Sequence, residues 1–131
     1  MPRSSIHVGG SAHESPIQNA SRIGNIFASG LIRGVDPTIS NLADALQQQC
    51  AFMFSNMSKT VEAGGGTVED IIKVTIWMEA LEREPVNAEW VKMFPDPAAR
   101  PARQIMELPM EEGVLVQCDF LAVVGASLQT G

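Results

Sequence analysis

The chain has 131 residues, 45% hydrophobic and 18% charged, a length and balance that fit one globular domain burying its core without metal or disulfide staples. A formal charge of −6, only nine Lys and Arg, and no Tyr argue against a nucleic-acid surface, which needs a basic stripe with aromatic stacking platforms. No apolar run is long enough to span a membrane, no cationic leader precedes an apolar segment, and Cys50 and Cys118 lack metal or redox spacing, so a reduced cytoplasmic protein is expected, with neither nucleic acid nor membrane as partner.

In chain order, residues 1–14 are rich in Ser, Gly and His and read as an N-terminal arm, with mobility expected over much of it and Ile6-His7-Val8 as a short strand candidate. Residues 15–131 read as the domain. From Ile17 to Ile32 the pattern predicts strands broken by turns, with Ser21 to Gly24 between two short runs; Arg33 to Ser40 reads as a loop. A long helix follows, capped by Ser40 and carrying Leu42, Leu46, Cys50, Met53, Phe54, Met57 and Val61 on one face. Gly64 to Gly66 stop it after about two dozen residues, roughly 35 Å at the helical rise. That Gly run has no following Lys-Ser or Lys-Thr, so it is a helix stop rather than a phosphate loop.

Ile71 to Met78 is β-rich, Pro85 to Phe94 predicts a short amphipathic helix, and Pro95 to Pro101 cannot continue it. Two strands close the chain, near Arg103 to Leu108 and Val114 to Val124, giving strands, helix, strand, helix, strands: an α+β arrangement with helices on one sheet face. Each of these last strands carries a charge where burial is expected. Asp119 sits inside an apolar run and needs a cation or several donors to be tolerated there, and Arg103 is the nearest candidate. The connection Pro109 to Gly113 would let the two strands fold back as neighbours and bring both charges to one pocket. A guanidinium fork beside a carboxylate suits holding a small acid while moving a proton; an ion pair alone is the other reading of Arg103, and a merely structural carboxylate the other reading of Asp119. His7 and His13 have no ligand partners at metal spacing, and no Gly-x-Ser-x-Gly elbow is present.

Seven segments recur in an informative order: Ser15-Pro16, Gly24 to Gly30, the helix into Ala63-Gly64-Gly65, Asp70 to Thr75, Val86-Asn87, Pro101-Ala102-Arg103 with Leu108-Pro109, and the acid Asp119 in the terminal strand. Over about Ser15 to Val124 the chain thereby resembles the RidA/YjgF family of imine and enamine deaminases. The resemblance implies a chorismate-mutase-like single domain, a mixed β-sheet with two helices on one face, assembled as a homotrimer with a site in each cleft between subunits. It also implies hydrolysis of 2-imino and 2-enamino acids to ammonia and a 2-oxo acid, without cofactor or metal.

By the same resemblance, Arg103 would clamp the carboxylate of a small metabolite through two parallel hydrogen bonds, while Asp119 would orient water or move a proton. Asp119 stands where many relatives have Glu, which is one methylene longer. Ser29 and Gly30 match a pair that offers hydroxyl and backbone contacts, although Ser and Gly also favour a plain turn. Asn87 matches an amide that helps hold ligand, or makes local backbone bonds instead. Ile17 replaces a common Tyr and Ile105 a common Cys, together implying a more apolar pocket and a longer or more hydrophobic substrate. The same three departures motivate a second expectation, a non-catalytic trimeric metabolite-binding or regulatory protein that uses the same cleft.

Overall fold

Two eight-residue strands rich in β-branched residues, Ile71–Met78 and Val116–Val123, pair antiparallel at the centre of the fold. In the computed structural model, which describes residues 2–8 and 18–125, the elements run β1 (Ser4–Ile6), β2 (Ala20–Ile23), β3 (Ile26–Ser29), β4 (Ile32–Arg33), β5 (Val35–Asp36), β6 (Asn41–Leu42), α1 (Leu46–Ala63), a 3-10 turn (Val68–Asp70), β7 (Ile71–Met78), α2 (Arg83–Met93), β8 (Ala102–Glu107) and β9 (Val116–Val123). The main sheet has the order β1-β2-β3-β9-β7-β8, with β4 also paired to β9. Every pairing in it is antiparallel except β7 with β8. A parallel pair needs a crossover, and α2 supplies it. The sheet is therefore mixed, with both helices packed on one face.

Alternation along the strands decides which side is covered. Val74, Ile76 and Met78 of β7 and Cys118, Phe120 and Ala122 of β9 are buried with Cys50, Met53, Phe54, Met57 and Val61 of α1. Phe27 stacks on Phe120 at 5.6 Å between centroids, and Trp90 of α2 meets Phe54 and Phe94 edge-on. The opposite face has no helix. Ile26 and Leu121 remain 55% and 37% exposed there, and a bulge between Ile71 and Lys73 turns both Ile72 and Lys73 outward.

Four expectations need correction. The first helix starts at Leu46, not at Ser40, and has 18 residues, about 27 Å at the helical rise. Ser40 has φ 55° in a turn whose amides bond to Asp36, and Asn41–Leu42 pairs with Val35–Asp36, so the chain needs a small hairpin before it can enter the helix. Ser21–Ile23 lies within a strand, and the turn falls at Gly24, where φ is 56°. The second helix begins at Arg83, two residues before Pro85, because the first-turn amides of a helix have no internal acceptor and tolerate proline. Finally, β8 and β9 are not neighbours: β7 lies between them, since β8 pairs parallel to β7 and the connection after it crosses the end of β7.

Gln49 closes the end of the core nearest that connection. Although only 1% exposed, its Nε2 donates to the carbonyls of Ala43 and Gly113 at 2.8 Å, and its Oε1 accepts the Leu115 amide at 2.9 Å. One buried amide thus ties the segment before α1 to the segment before β9.

Cys50 and Cys118 are free and fully buried. Burial, reinforced by Glu89 and Glu82, pushes the Cys50 thiol up to about 12, and burial pushes Cys118 up as well. Nucleophilic thiolate is then scarce at any ordinary pH. Neither thiol should react with a thiol-specific reagent at pH 8 in the folded protein, and both should react at once in denaturant; rapid labelling of the folded chain would contradict this burial.

Candidate functional site

Arg103 is the second residue of β8, an edge strand of the sheet. It pairs with Val74, which pairs with Phe120, so its side chain belongs to the helix-covered face. There its guanidinium lies 4.9 Å from the centroid of the Trp90 ring, close enough for cation–π attraction. Its Nη1 is buried without a hydrogen-bond partner. Burial, and then the charge of Arg83, hold its pKa below the ordinary value, yet a guanidinium stays protonated under all physiological conditions. A buried cationic donor with nothing to bond is costly, and an anion is the partner that would relieve it.

Asn87 is exposed on α2, four residues from Arg83 and three from Trp90, which puts all three on one stripe of that helix. Ile105 follows Arg103 on the same face of β8 and packs, partly buried, against the core. Its side chain is therefore engaged with the interior.

Asp119 lies on the other side of the sheet. It pairs with Thr75, which pairs with Gln104, one residue out of step with the Arg103 row. Within one chain the two charges therefore do not share a pocket, because a one-residue offset in β register reverses the side-chain direction. Asp119 instead lines an open depression of about 270 Å³ together with Ala28, Ser29, Lys73, Thr75, Phe120 and Leu121. Burial raises its pKa, and the Lys73 ammonium pulls it partly back.

Ser29 ends β3, where its Oγ accepts the Phe120 amide at 2.8 Å and replaces a backbone rung of the ladder. That bond leaves the hydroxyl hydrogen to donate. Gly30 donates its amide to the Asn19 carbonyl at 2.8 Å, so only its carbonyl is left for a guest. Ile17, and with it the Ser15-Pro16 motif, lies outside the described residues. The candidate residues thus fall into two groups, Arg103 with Asn87 and Ile105 on the helix side of the sheet, and Asp119 with Ser29, which ends β3 at the rim of the same depression.

Residues 16–124 match the family described as Endoribonuclease L-PSP. The chain belongs to the RidA/YjgF family. It is 30% identical over 98 residues to a RutC family protein of Aquifex aeolicus, covering 72% of this chain and 78% of that one. It is 26% identical over 106 residues to the chloroplastic Reactive Intermediate Deaminase A of Arabidopsis thaliana, covering 79% of this chain but only 57% of the plant protein. A solved Rid-family protein of unknown function from Yersinia pestis superposes with a TM-score of 0.84 at 23% identity, covering 94% of this chain and all of that one. Its fold is the chorismate-mutase-like fold of the Rid proteins. Among the described residues no helix is long and apolar enough to cross a membrane.

Trp90, Arg83, Lys73 and Thr75 escaped the sequence reading. The helical spacing of Trp90 from Asn87 signals its closeness to the stripe, whereas the rows that place Lys73 and Thr75 beside Asp119 exist only once the strands have paired.

The raised pKa of Asp119 carries a pH signature. The folded protein favours its protonated form, so its contribution to stability is best below the ordinary Asp value of 3.8 and is lost as pH rises through the raised folded value. Asp119→Asn should therefore change the melting temperature little near pH 3 and raise it relative to wild type at pH 7. An Asn variant that is less stable than wild type at neutral pH would mean that the ionised carboxylate is paired.

Proposed function

We propose that this protein is a hydrolytic deaminase of reactive 2-imino and 2-enamino acids, releasing ammonia and a 2-oxo acid without a cofactor. The observation that carries the reading is the buried, unpartnered Nη1 of Arg103 above the Trp90 ring. The guanidinium lies against the ring with a donor to spare, and its fork of N–H groups suits bidentate capture of a carboxylate. Membership of a family that includes a relative named as a reactive intermediate deaminase supports the same chemistry.

In this mechanism the enamine first takes a proton on carbon, gives one up from nitrogen and so becomes the imine. Arg103 fixes its carboxylate, so the adjacent C=N carbon has one position relative to the surrounding groups. Water adds to that carbon, its proton passing to Asp119, a carboxylate whose raised pKa suits it to receive one. Asp119 returns that proton to the nitrogen of the carbinolamine, the carbinolamine hydroxyl gives up the second water proton to the same nitrogen, the C–N bond breaks to release ammonia, and the C=O bond of the 2-oxo acid forms. Ser29, whose hydroxyl retains a free hydrogen, lines the same depression as Asp119, and the scheme uses it as a donor to the reacting centre.

Arg103 and Asp119 act together in this scheme only if one copy presents its helix-side edge to the open sheet face of another. A homotrimer with a shared cleft at each interface is the assembly we propose, and the uncovered sheet face with Ile26, Met106 and Leu121 exposed is consistent with it. The cellular setting we propose is the cytoplasm.

The test is release of ammonia and 2-oxo acid from 2-iminobutyrate generated in solution, measured against the uncatalysed hydrolysis. Acceleration supports the deaminase. Tight binding of 2-oxobutyrate with no acceleration across short and branched imino acids would replace it with a metabolite-binding protein that uses the same cleft.

A further inference from the structure

Arg83 is the first residue of α2. A cation there is at the unfavourable end of the helix dipole, so helix stability does not account for it. Among the described residues it has no ion-pair partner, although acids outnumber bases by fifteen to nine in the whole chain. Its charge is felt at Arg103, where it adds to burial in disfavouring the cation.

Arg83, Asn87 and Trp90 follow one another at spacings of four and three residues along α2. Side chains so spaced share one helix face, and the Trp90 end of that stripe lies against the Arg103 guanidinium. Arg83 stands two turns further along, about 10 Å by the helical rise, a gap that its long side chain partly closes. The stripe therefore reads cation, amide, cation; Glu107, the carboxylate on this face of β8, accepts the Leu81 amide at 2.9 Å and forms no ion pair with either arginine. One carboxylate seated on Arg103 would leave Arg83 unanswered, whereas a ligand with an acid at each end answers both.

We propose that the substrates this site prefers are 2-imino dicarboxylates, gripped by Arg103 at the carboxylate beside the imine and by Arg83 at the distal carboxylate. This rests on the deaminase reading above and narrows its substrate class. The reaction is unchanged: water adds to the imine carbon, the C–N bond breaks, ammonia leaves carrying both hydrogens of that water, and its oxygen remains as the carbonyl of a 2-oxo dicarboxylate. It also departs from the expectation of a more hydrophobic substrate, since Ile105, one of the two residues behind that expectation, is packed on the core.

The experiment compares 2-iminoglutarate with 2-iminobutyrate, each made in place from its amino acid by an oxidase with catalase present, in the wild type, Arg83→Gln and Arg83→Glu. We expect kcat/KM for the dicarboxylate to exceed that for the monocarboxylate by about tenfold in wild type, carried mainly by KM, as one added charge contact would give. The ratio should fall to near one in Arg83→Gln and below one in Arg83→Glu. Equal use of both imines by wild type, or a preference that survives Arg83→Glu, overturns the inference while leaving the deaminase intact. If neither imine is turned over, calorimetry with 2-oxoglutarate and 2-oxobutyrate decides. Tighter binding of the dianion that depends on Arg83 retains the two-cation site without the enzyme, and absence of that preference removes both.

Discussion

Replacing Arg103 by Ala is expected to lower kcat/KM for 2-imino acids on the order of 100-fold, with little change in melting temperature. A charge-assisted hydrogen bond contributes about 1.5–3 kcal/mol, and the fork makes two to a carboxylate, so losing both costs at least that factor even if water takes part of their place. On stability the terms oppose each other. The Ala variant loses a cation–π contact of about 0.5–1 kcal/mol with Trp90 but also removes the buried Nη1 that lacks a partner, which costs about 1–3 kcal/mol. Arg103→Lys should fall between, since an ammonium keeps the charge and loses the second parallel bond. Steady-state ammonia release and thermal melts on the same preparations separate the two effects. Wild-type activity in the Ala variant would take Arg103 out of the mechanism; a large drop in melting temperature would make it a structural residue instead.

The largest expected loss of stability comes from a position with no chemistry. A Cβ placed on Gly34 would fall well inside van der Waals contact of both the Cα and the carbonyl oxygen of Gln49, helix backbone that cannot rotate away. Retreat is blocked from the other side. Asn56 Nδ2 holds the carbonyls of Arg33 and Val35 at 3.1 and 3.0 Å, and the Gly34 carbonyl accepts the Ala43 amide. Gln49 itself is fixed by its three bonds to Ala43, Gly113 and Leu115. Gly34→Ala should therefore destabilise by about 3 kcal/mol, at the upper end for overpacking, and lower the melting temperature on the order of 10 °C at matched protein concentration. Denaturant titration of wild type and variant measures it, and a shift of a degree or less would mean that the β4–β5 segment slides freely over α1.

Much of the fold was legible because its longest elements are patterned by their own residues. β7 ends where Glu79-Ala80 breaks an apolar run, α1 ends at three glycines, and the proline-rich segment after Phe94 stops α2. The short elements were not legible, because two-residue strands such as β5 and β6 take their conformation from the partner they meet and from the Asp36 turn between them. Hydrophobic spacing carried the helix pattern back to Leu42, but the hairpin claimed Asn41–Leu42 first. The same limit applied to Gln49. In sequence it is one of three consecutive glutamines, and only the meeting of the chain around Ala43 with that around Gly113 gives it acceptors and a place inside the core.

At the site, local sequence identified Arg103 and Asp119 as charges set in apolar strands, because an ionised group in such a run calls for a partner wherever it lies. By itself the chain's order of residues determined the α+β class, the family and that pair of charges. Only the tertiary structure decided that the pair looks out on opposite faces, that Trp90 lies under one and Lys73 beside the other, and that Arg83 shares a stripe with the first. The reason is physical. Side-chain direction in a sheet depends on pairing register, and register is settled by long-range contacts that no stretch of sequence contains alone.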